Sequence, residues 1–156
     1  MRLHFTKMEG LGNDYIYVDG IHQDVIMTPA FISRISDRHF GIGSDGMIVI
    51  LPSQNYDFLM RMFNRDGSEG KMCGNGIRCF AKFVYDHHLT EKTYLEIETL
   101  AGVKRVWLKV ENGTVQSVRV DMGKPSLDVK MIPCLFEKTE MINEPLQINQ
   151  NIYYCT

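Results

Sequence analysis

Two hydrophobic patterns alternate along the chain and predict a mixture of strands and helices. Short runs rich in Val, Ile, Tyr and Phe, several of them alternating with polar residues, are typical of strands. They predict strands over residues 3–8, 15–18, 47–51, 57–63, 95–99, 106–110, 118–122, 146–148 and 152–155. Apolar residues at helical spacing predict one helix from Thr28 and Pro29 to about Gly41, and a second over residues 74–87.

The second helix has an unusually narrow polar face. Arg78, Lys82 and Asp86 are four residues apart and form a single polar stripe. The rest of its circumference is apolar and consists of Ile77, Phe80, Ala81, Phe83 and Val84. A helix this apolar is normally buried, so we expect it to be the central helix of the fold.

A glycine-rich segment over residues 64–76 leads into this helix and places Cys73 at its N-terminus. The first N–H groups of a helix have no partner within the helix, and its dipole is positive there. Such surroundings favour the reactive thiolate form of a cysteine, and the same N–H groups can bind an anion. The alternative is that Cys73 packs as a small apolar residue, as free cysteines often do.

Two other glycine-rich segments have structural explanations. Residues 41–46 match G-x-G-x-x-G, but a helix precedes them and a strand follows, which is the reverse of a dinucleotide site. We therefore expect a tight turn there. Residues 9–14 are expected to form a loop, in which Asn13 serves either the turn or a ligand.

Composition excludes several classes of protein. The chain has 156 residues, which suggests a single domain, and its net charge is −2 without a basic block, so neither nucleic acid nor a membrane is expected as a partner. The N-terminus lacks a secretory pattern, and the four cysteines lack the spacing of a zinc site. We therefore expect reduced thiols, no metal and a cytoplasmic location.

Five segments together resemble the N-terminal half of the diaminopimelate epimerase family. They are residues 7–14, 41–46, 63–70, 73–79 and 120–125. Any one of them alone would be a weak signal, but their order along the chain makes the resemblance specific. It covers nearly the whole chain and implies an isomerase in lysine and peptidoglycan precursor biosynthesis.

The resemblance implies an α+β fold, in which a mixed, mostly antiparallel sheet curls around a central buried helix. It also implies inversion of one stereocentre of diaminopimelate by two thiols, without pyridoxal phosphate, another cofactor or a metal. Cys73 would be one of the two acid/base thiols. Backbone N–H groups of Gly74 and Asn75 would hold the substrate carboxylate, and Asn13 and Asn64 would bind its polar groups.

Two departures from the family leave questions open. Some members have Gln at the position of Gly46, so a side-chain contact is in doubt there. No second Cys-Gly-Thr/Ser-Gly motif occurs, so we expect residues 1–156 to be one domain of a longer protein and incomplete for catalysis. A related proline or hydroxyproline racemase, a non-catalytic anion-binding domain and a homodimer stay open, although Asn75 stands where those racemases commonly have His.

Overall fold

The computed structural model describes residues 2–132 and 134–156. Within it the chain divides into two compact units, Met1–Met122 and Gly123–Thr156, which we describe separately. The expectation that residues 1–156 form one domain of a longer protein stays a prediction.

The first unit contains one mixed sheet and two helices. Its elements are β1 (Thr6–Gly10), β2 (Asn13–Asp19), α1 (Pro29–Ser36), β3 (Gly46–Leu51), β4 (Phe58–Asn64), β5 (Glu69–Gly70), α2 (Gly74–Asp86), β6 (Tyr94–Glu98), β7 (Lys104–Glu111) and β8 (Thr114–Val120). The strand order is β1-β2-β3-β4-β6-β7-β8, and β5 pairs with β4. The β2–β3 and β4–β6 pairs are parallel, and the other neighbouring pairs are antiparallel.

The sheet curls around α2, as predicted. This helix contacts β1 and β8, the strands at the two ends of the sheet, as well as β2 and β7 between them. Its buried residues are Gly76, Ile77, Cys79, Phe80, Ala81, Phe83 and Val84. They pack with the inward side chains of the strands, among them the fully buried Ile48, Leu95 and Ile97. Burial of apolar surface, roughly 1.5–3 kcal/mol for each large side chain, therefore holds this helix in place.

The opposite face of the sheet is covered by α1. Ile32 of this helix packs in a second core with Ile16, Val18, Met47 and Val49 of β2 and β3. The predicted helix end at Gly41 is wrong, because α1 ends at Ser36. Residues 37–45 turn back instead, and the N–H groups of Ile42 and Gly43 donate to the carbonyl of Ile35. The tight turn predicted over residues 41–46 lies in this segment except for Gly46, which is the first residue of β3.

The expected loop over residues 9–14 is mostly strand. β1 and β2 form a hairpin in which Gly10 pairs with Asn13, so its turn consists of Leu11 and Gly12 alone. Both turn residues have positive φ, 57° and 79°, as the favoured two-residue hairpin turn requires. Asn13 is a strand residue, so its side chain does not serve the turn.

The remaining predicted strands occur with shifted ends. The hairpin signal at Asn112 and Gly113 is correct, since both residues have positive φ between β7 and β8. The short strand β5 has no counterpart among the predictions, because two residues are too few for a hydrophobic pattern.

The second unit contains a two-stranded antiparallel sheet, β9 (Glu144–Ile148) and β10 (Asn151–Cys155), at the two places where strands were predicted. Its apolar side chains Leu146, Ile148, Ile152, Tyr153 and Tyr154 are exposed. A lone hairpin of this kind is marginally stable at best in water.

Candidate active site

Cys73 is the N-cap residue of α2. Its backbone is extended, with φ of −133° and ψ of 118°, and its carbonyl accepts the N–H of Ile77 at 2.9 Å. Its Sγ accepts the N–H of Gly76 at 3.3 Å. The sulfur thus takes the place that an oxygen occupies in an ordinary helix cap. The prediction that Cys73 lies at the N-terminus of a helix is therefore confirmed.

The first turn of α2 combines tight packing with open N–H groups. A Cβ atom on Gly76 would lie 2.6 Å from Cδ1 of Ile48, so any larger residue here would require the buried Ile48 side chain to shift. The buried hydroxyl of Tyr17 donates to the Gly76 carbonyl at 3.0 Å and anchors the same turn. Gly74 and Asn75 occupy the first two helical positions, whose N–H groups have no acceptor within a helix. These groups are available to an anion.

Asn13 of β2 lies directly against the cysteine. The Cys73 thiol donates to Oδ1 of Asn13 at 3.2 Å. The Asn13 Nδ2 group donates to Oδ2 of Asp45 at 2.9 Å, and Asp45 in turn accepts from Arg38 at 3.0 Å. The sequence-based site included Asn13 and Cys73 but missed Arg38 and Asp45, although Asp45 is part of the glycine-rich segment before β3.

A buried carboxylate holds this end of the hairpin. Arg38 donates to both oxygens of Asp14, at 3.2 and 2.6 Å, and Lys7 lies 3.0 Å from the same carboxylate. The hydrogen bonds from Arg38, followed by the contact with Lys7, hold the pKa of Asp14 well below its usual value. The carboxylate therefore stays charged and ties β1, β2 and the segment after α1 together.

Tyr15 is a further side chain at the site that sequence reasoning missed. It is 5% exposed, and Cys73 and Asn13 are close enough to affect the pKa of its hydroxyl. Burial, with the nearby Cys73 as a second cause, raises the pKa of Tyr15 to about 12, so the hydroxyl is neutral at physiological pH.

The ring of Tyr15 occupies space that a side chain at position 46 would need. A Cβ atom on Gly46 would lie 2.9 Å from the Tyr15 ring and would overlap the carbonyl oxygen of Phe63. Gly46 also has a φ of 154°, which side-chain-bearing residues rarely adopt. A side chain such as the Gln that the resemblance raised for this position would therefore not fit this backbone.

Asn64 lies at the same end of the sheet. It pairs with Gly46 across β3 and β4, and the next residue of β3, Met47, pairs with Ile16 of β2. Its Nδ2 group donates to Oγ of Ser68 at 3.0 Å, and the side chain is exposed. The sheet register thus places Asn64 on β4 and Asn13 and Tyr15 on β2, with β3 between the two strands.

Two negative observations apply to residues 2–132 and 134–156. No group of three or more His, Cys, Asp or Glu side chains there is arranged to hold a metal ion. Neither helix of this described part has the length and apolar character needed to cross a membrane.

The fold of the chain is similar to that of solved racemase and isomerase structures. A probable proline racemase from Agrobacterium radiobacter K84 matches with a TM-score of 0.64 and 14% identity, over 76% of this chain and 41% of that one. A methylitaconate-delta-isomerase matches with a TM-score of 0.61 and 19% identity, over 74% of this chain and 36% of that one. At these identities the likeness concerns the fold alone.

Sequence comparison identifies the family. The family model described as diaminopimelate epimerase matches residues 5–127, and the chain belongs to this family. A diaminopimelate epimerase from Methanococcus maripaludis strain C5 is 57% identical over 99% of this chain and 56% of its own length. A diaminopimelate epimerase from Acetivibrio thermocellus is 50% identical over 99% of this chain and 55% of its own length. The chain therefore spans about half the length of the curated relatives it matches.

Proposed function

We propose that this chain is the N-terminal half of an enzyme that interconverts LL- and meso-diaminopimelate without a cofactor, and that Cys73 is one of its two acid/base thiols. One observation supports this most directly: the Cys73 sulfur caps α2 beside the two N–H groups of Gly74 and Asn75. The names of relatives 50–57% identical in sequence support the substrate class.

The chemistry uses both parts of this arrangement. A thiolate removes the proton from the α-carbon of the substrate, and the electron pair left there is delocalised into the adjacent carboxylate. N–H groups at a helix N-terminus stabilise that developing charge, because they are already oriented toward it. A thiol on the opposite face then returns a proton to the carbon, which inverts the centre. In this proposal the second half of the protein supplies the second thiol.

Asn13 and Asn64 would bind polar groups of the substrate. Asn64 is exposed at the end of β4, and its amide oxygen is not committed to its bond with Ser68. Asn13 is half-buried and faces the sulfur. In the cell we place the reaction in the cytoplasm, in the supply of lysine and peptidoglycan precursors. The homodimer stays a prediction.

The test is α-hydrogen exchange by the intact protein in deuterium oxide. LL-diaminopimelate is expected to yield the meso isomer carrying one deuterium at the inverted carbon, as resolved by chiral chromatography and mass analysis. Proline and trans-4-hydroxyproline serve as controls for the racemases that share the fold, and no exchange is expected with them. Inversion of proline in place of diaminopimelate would refute the proposed substrate. If neither amino acid exchanges its α-hydrogen, the proposal that the protein is an epimerase is refuted.

A further inference from the structure

The side chain of Asn13 joins the Cys73 thiol to the Asp45 carboxylate. Its Oδ1 lies 3.2 Å from Sγ, and its Nδ2 lies 2.9 Å from Oδ2 of Asp45. The same carboxylate oxygen accepts the N–H of Asp14 at 3.2 Å, while the other oxygen accepts from Arg38 at 3.0 Å. Asp45 therefore accepts three hydrogen bonds, which fix its position. Of the three donors, only the Asn13 side chain also contacts the Cys73 sulfur.

Charge determines which way the Asn13 amide faces. A carboxylate can only accept hydrogen bonds, so the amide group beside Asp45 must be the donor, Nδ2. The amide is planar, and its carbonyl oxygen is consequently directed at Cys73. This oxygen can accept a hydrogen bond from a thiol, but it has no proton to donate to a thiolate.

We infer that Asp45 is a positioning residue which, through the orientation of the Asn13 amide, holds Cys73 in its protonated thiol form. In the proposed reaction, on which this part of the inference rests, Cys73 is then the proton donor of the resting enzyme. The cysteine of the second half, in its thiolate form, would then be the first to remove a proton.

The other groups around the sulfur bear on the balance between the thiol and thiolate forms of Cys73. The Gly76 N–H at 3.3 Å donates to Sγ and favours the thiolate. Burial raises the pKa values of Tyr15 and Tyr17 on β2, so their hydroxyls add no charge near neutral pH. Burial also raises the pKa of Cys79 on α2, so this thiol adds no charge either. The Asn13 amide is thus the neighbour whose orientation can change the balance.

Alkylation of the intact protein at pH 7 tests the inference without any turnover. Iodoacetamide reacts with thiolates, and peptide mapping gives a separate rate for each cysteine. In Asp45→Ala the amide is free to turn its Nδ2 group toward the sulfur, so Cys73 is expected to react about fivefold faster, the effect of one net hydrogen bond. Asn13→Ala removes the acceptor and is expected to raise the rate in the same direction. An unchanged or lower rate in either variant overturns the inference.

The buried Cys79, at 8% exposure, reports in the same samples whether the fold has loosened. Its rate is expected to stay at the wild-type value, and if it rises together with that of Cys73, Asp45 has a structural role alone. The double variant then separates two routes for the effect. If Asp45 acts through Asn13, Asp45→Ala has no further effect in the Asn13→Ala background. A fivefold effect that persists there would mean that the charge of Asp45 acts directly on the sulfur, which also overturns the inference.

Failure of this inference can be distinguished from failure of the proposed function. The alkylation rates require no substrate, whereas the exchange of deuterium into diaminopimelate requires both thiols. A protein that epimerises diaminopimelate but shows no response to Asp45→Ala contradicts the inference alone.

Discussion

The two helices begin with the same capping geometry and differ in what that geometry can do. Thr28 caps α1 and Cys73 caps α2, each with an extended backbone. Oγ1 of Thr28 accepts the N–H of Phe31 at 3.4 Å, and Sγ of Cys73 accepts the N–H of Gly76 at 3.3 Å. In both cases the cap satisfies the third N–H group of the helix.

What differs is the residue that follows the cap. Pro29 begins α1, so one of its free N–H groups is missing and a ring occupies the space. Gly74 begins α2, with its N–H group present and its nearest side-chain neighbour, Met122, 3.5 Å from where a Cβ would be. A helix N-terminus becomes a candidate anion site only when its N–H groups are both present and accessible.

Exchange of the cap sulfur for oxygen should have the largest effect. Cys73→Ser keeps a good cap residue but removes the thiol that we propose as an acid/base group. We expect kcat of the intact enzyme to fall about 10²- to 10⁴-fold, the usual contribution of such a group, with a small change in melting temperature. The measurement is deuterium exchange into diaminopimelate together with thermal unfolding. The matched control is Thr28→Ser, and a Cys73→Ser enzyme with more than a tenth of wild-type activity would contradict the assignment.

Placing a proline at the first position of α2, as in α1, should have the next largest effect. Gly74→Pro deletes one N–H group at a position where proline is tolerated, and the preceding Cys73 already has the extended backbone that proline requires. If the Gly74 N–H binds the substrate carboxylate as proposed, loss of this hydrogen bond is expected to lower kcat/KM by roughly 10- to 150-fold, or about 1.5–3 kcal/mol. Gly74→Ala keeps the N–H group and is the control. Equal losses in both variants would mean that space, and not the N–H group, matters at this position.

The cap of α1 should affect stability alone. Thr28→Ala removes the acceptor for the Phe31 N–H, and we expect the free energy of unfolding to fall by about 1 kcal/mol. Urea unfolding measures this loss, and kcat/KM should remain at the wild-type value. A change in kcat/KM without a loss of stability would place α1 near the chemistry and end the contrast between the two helices.

The last prediction concerns the stability of the folded protein at alkaline pH. Because the pKa of Tyr15 is raised to about 12 in the folded protein, from 10.0 for an ordinary tyrosine, folding favours its neutral form. Wild-type protein should therefore lose stability as the pH rises from about 10 toward about 12. Tyr15→Phe cannot ionise there, so its free energy of unfolding should fall less steeply over this window. Urea unfolding at pH 9.5 and 11.5 measures both slopes, and equal slopes would show that Tyr15 ionises freely.

Local sequence was sufficient for α2 and for its cap. The apolar positions from Ile77 to Val84 have helical spacing, and the glycines before them allow the chain to turn into the helix. The end of α1 was misjudged because Gly41 resembles a helix stop, while the true end at Ser36 depends on the backbone bonds from Ile42 and Gly43 back to Ile35. Those bonds form only once the segment packs against the helix.

The sequence by itself determined the two hydrophobic patterns, the buried helix and the cysteine at its N-terminus, because each is a relation between residues a few positions apart. Only the tertiary structure brought Asn13 to Cys73, 60 residues away, and Asp45 to Asn13, 32 residues away. These contacts depend on the parallel pairing of β2 with β3 and on the curl of the sheet around α2. The direction in which an amide faces is set by such neighbours, and no local pattern encodes it.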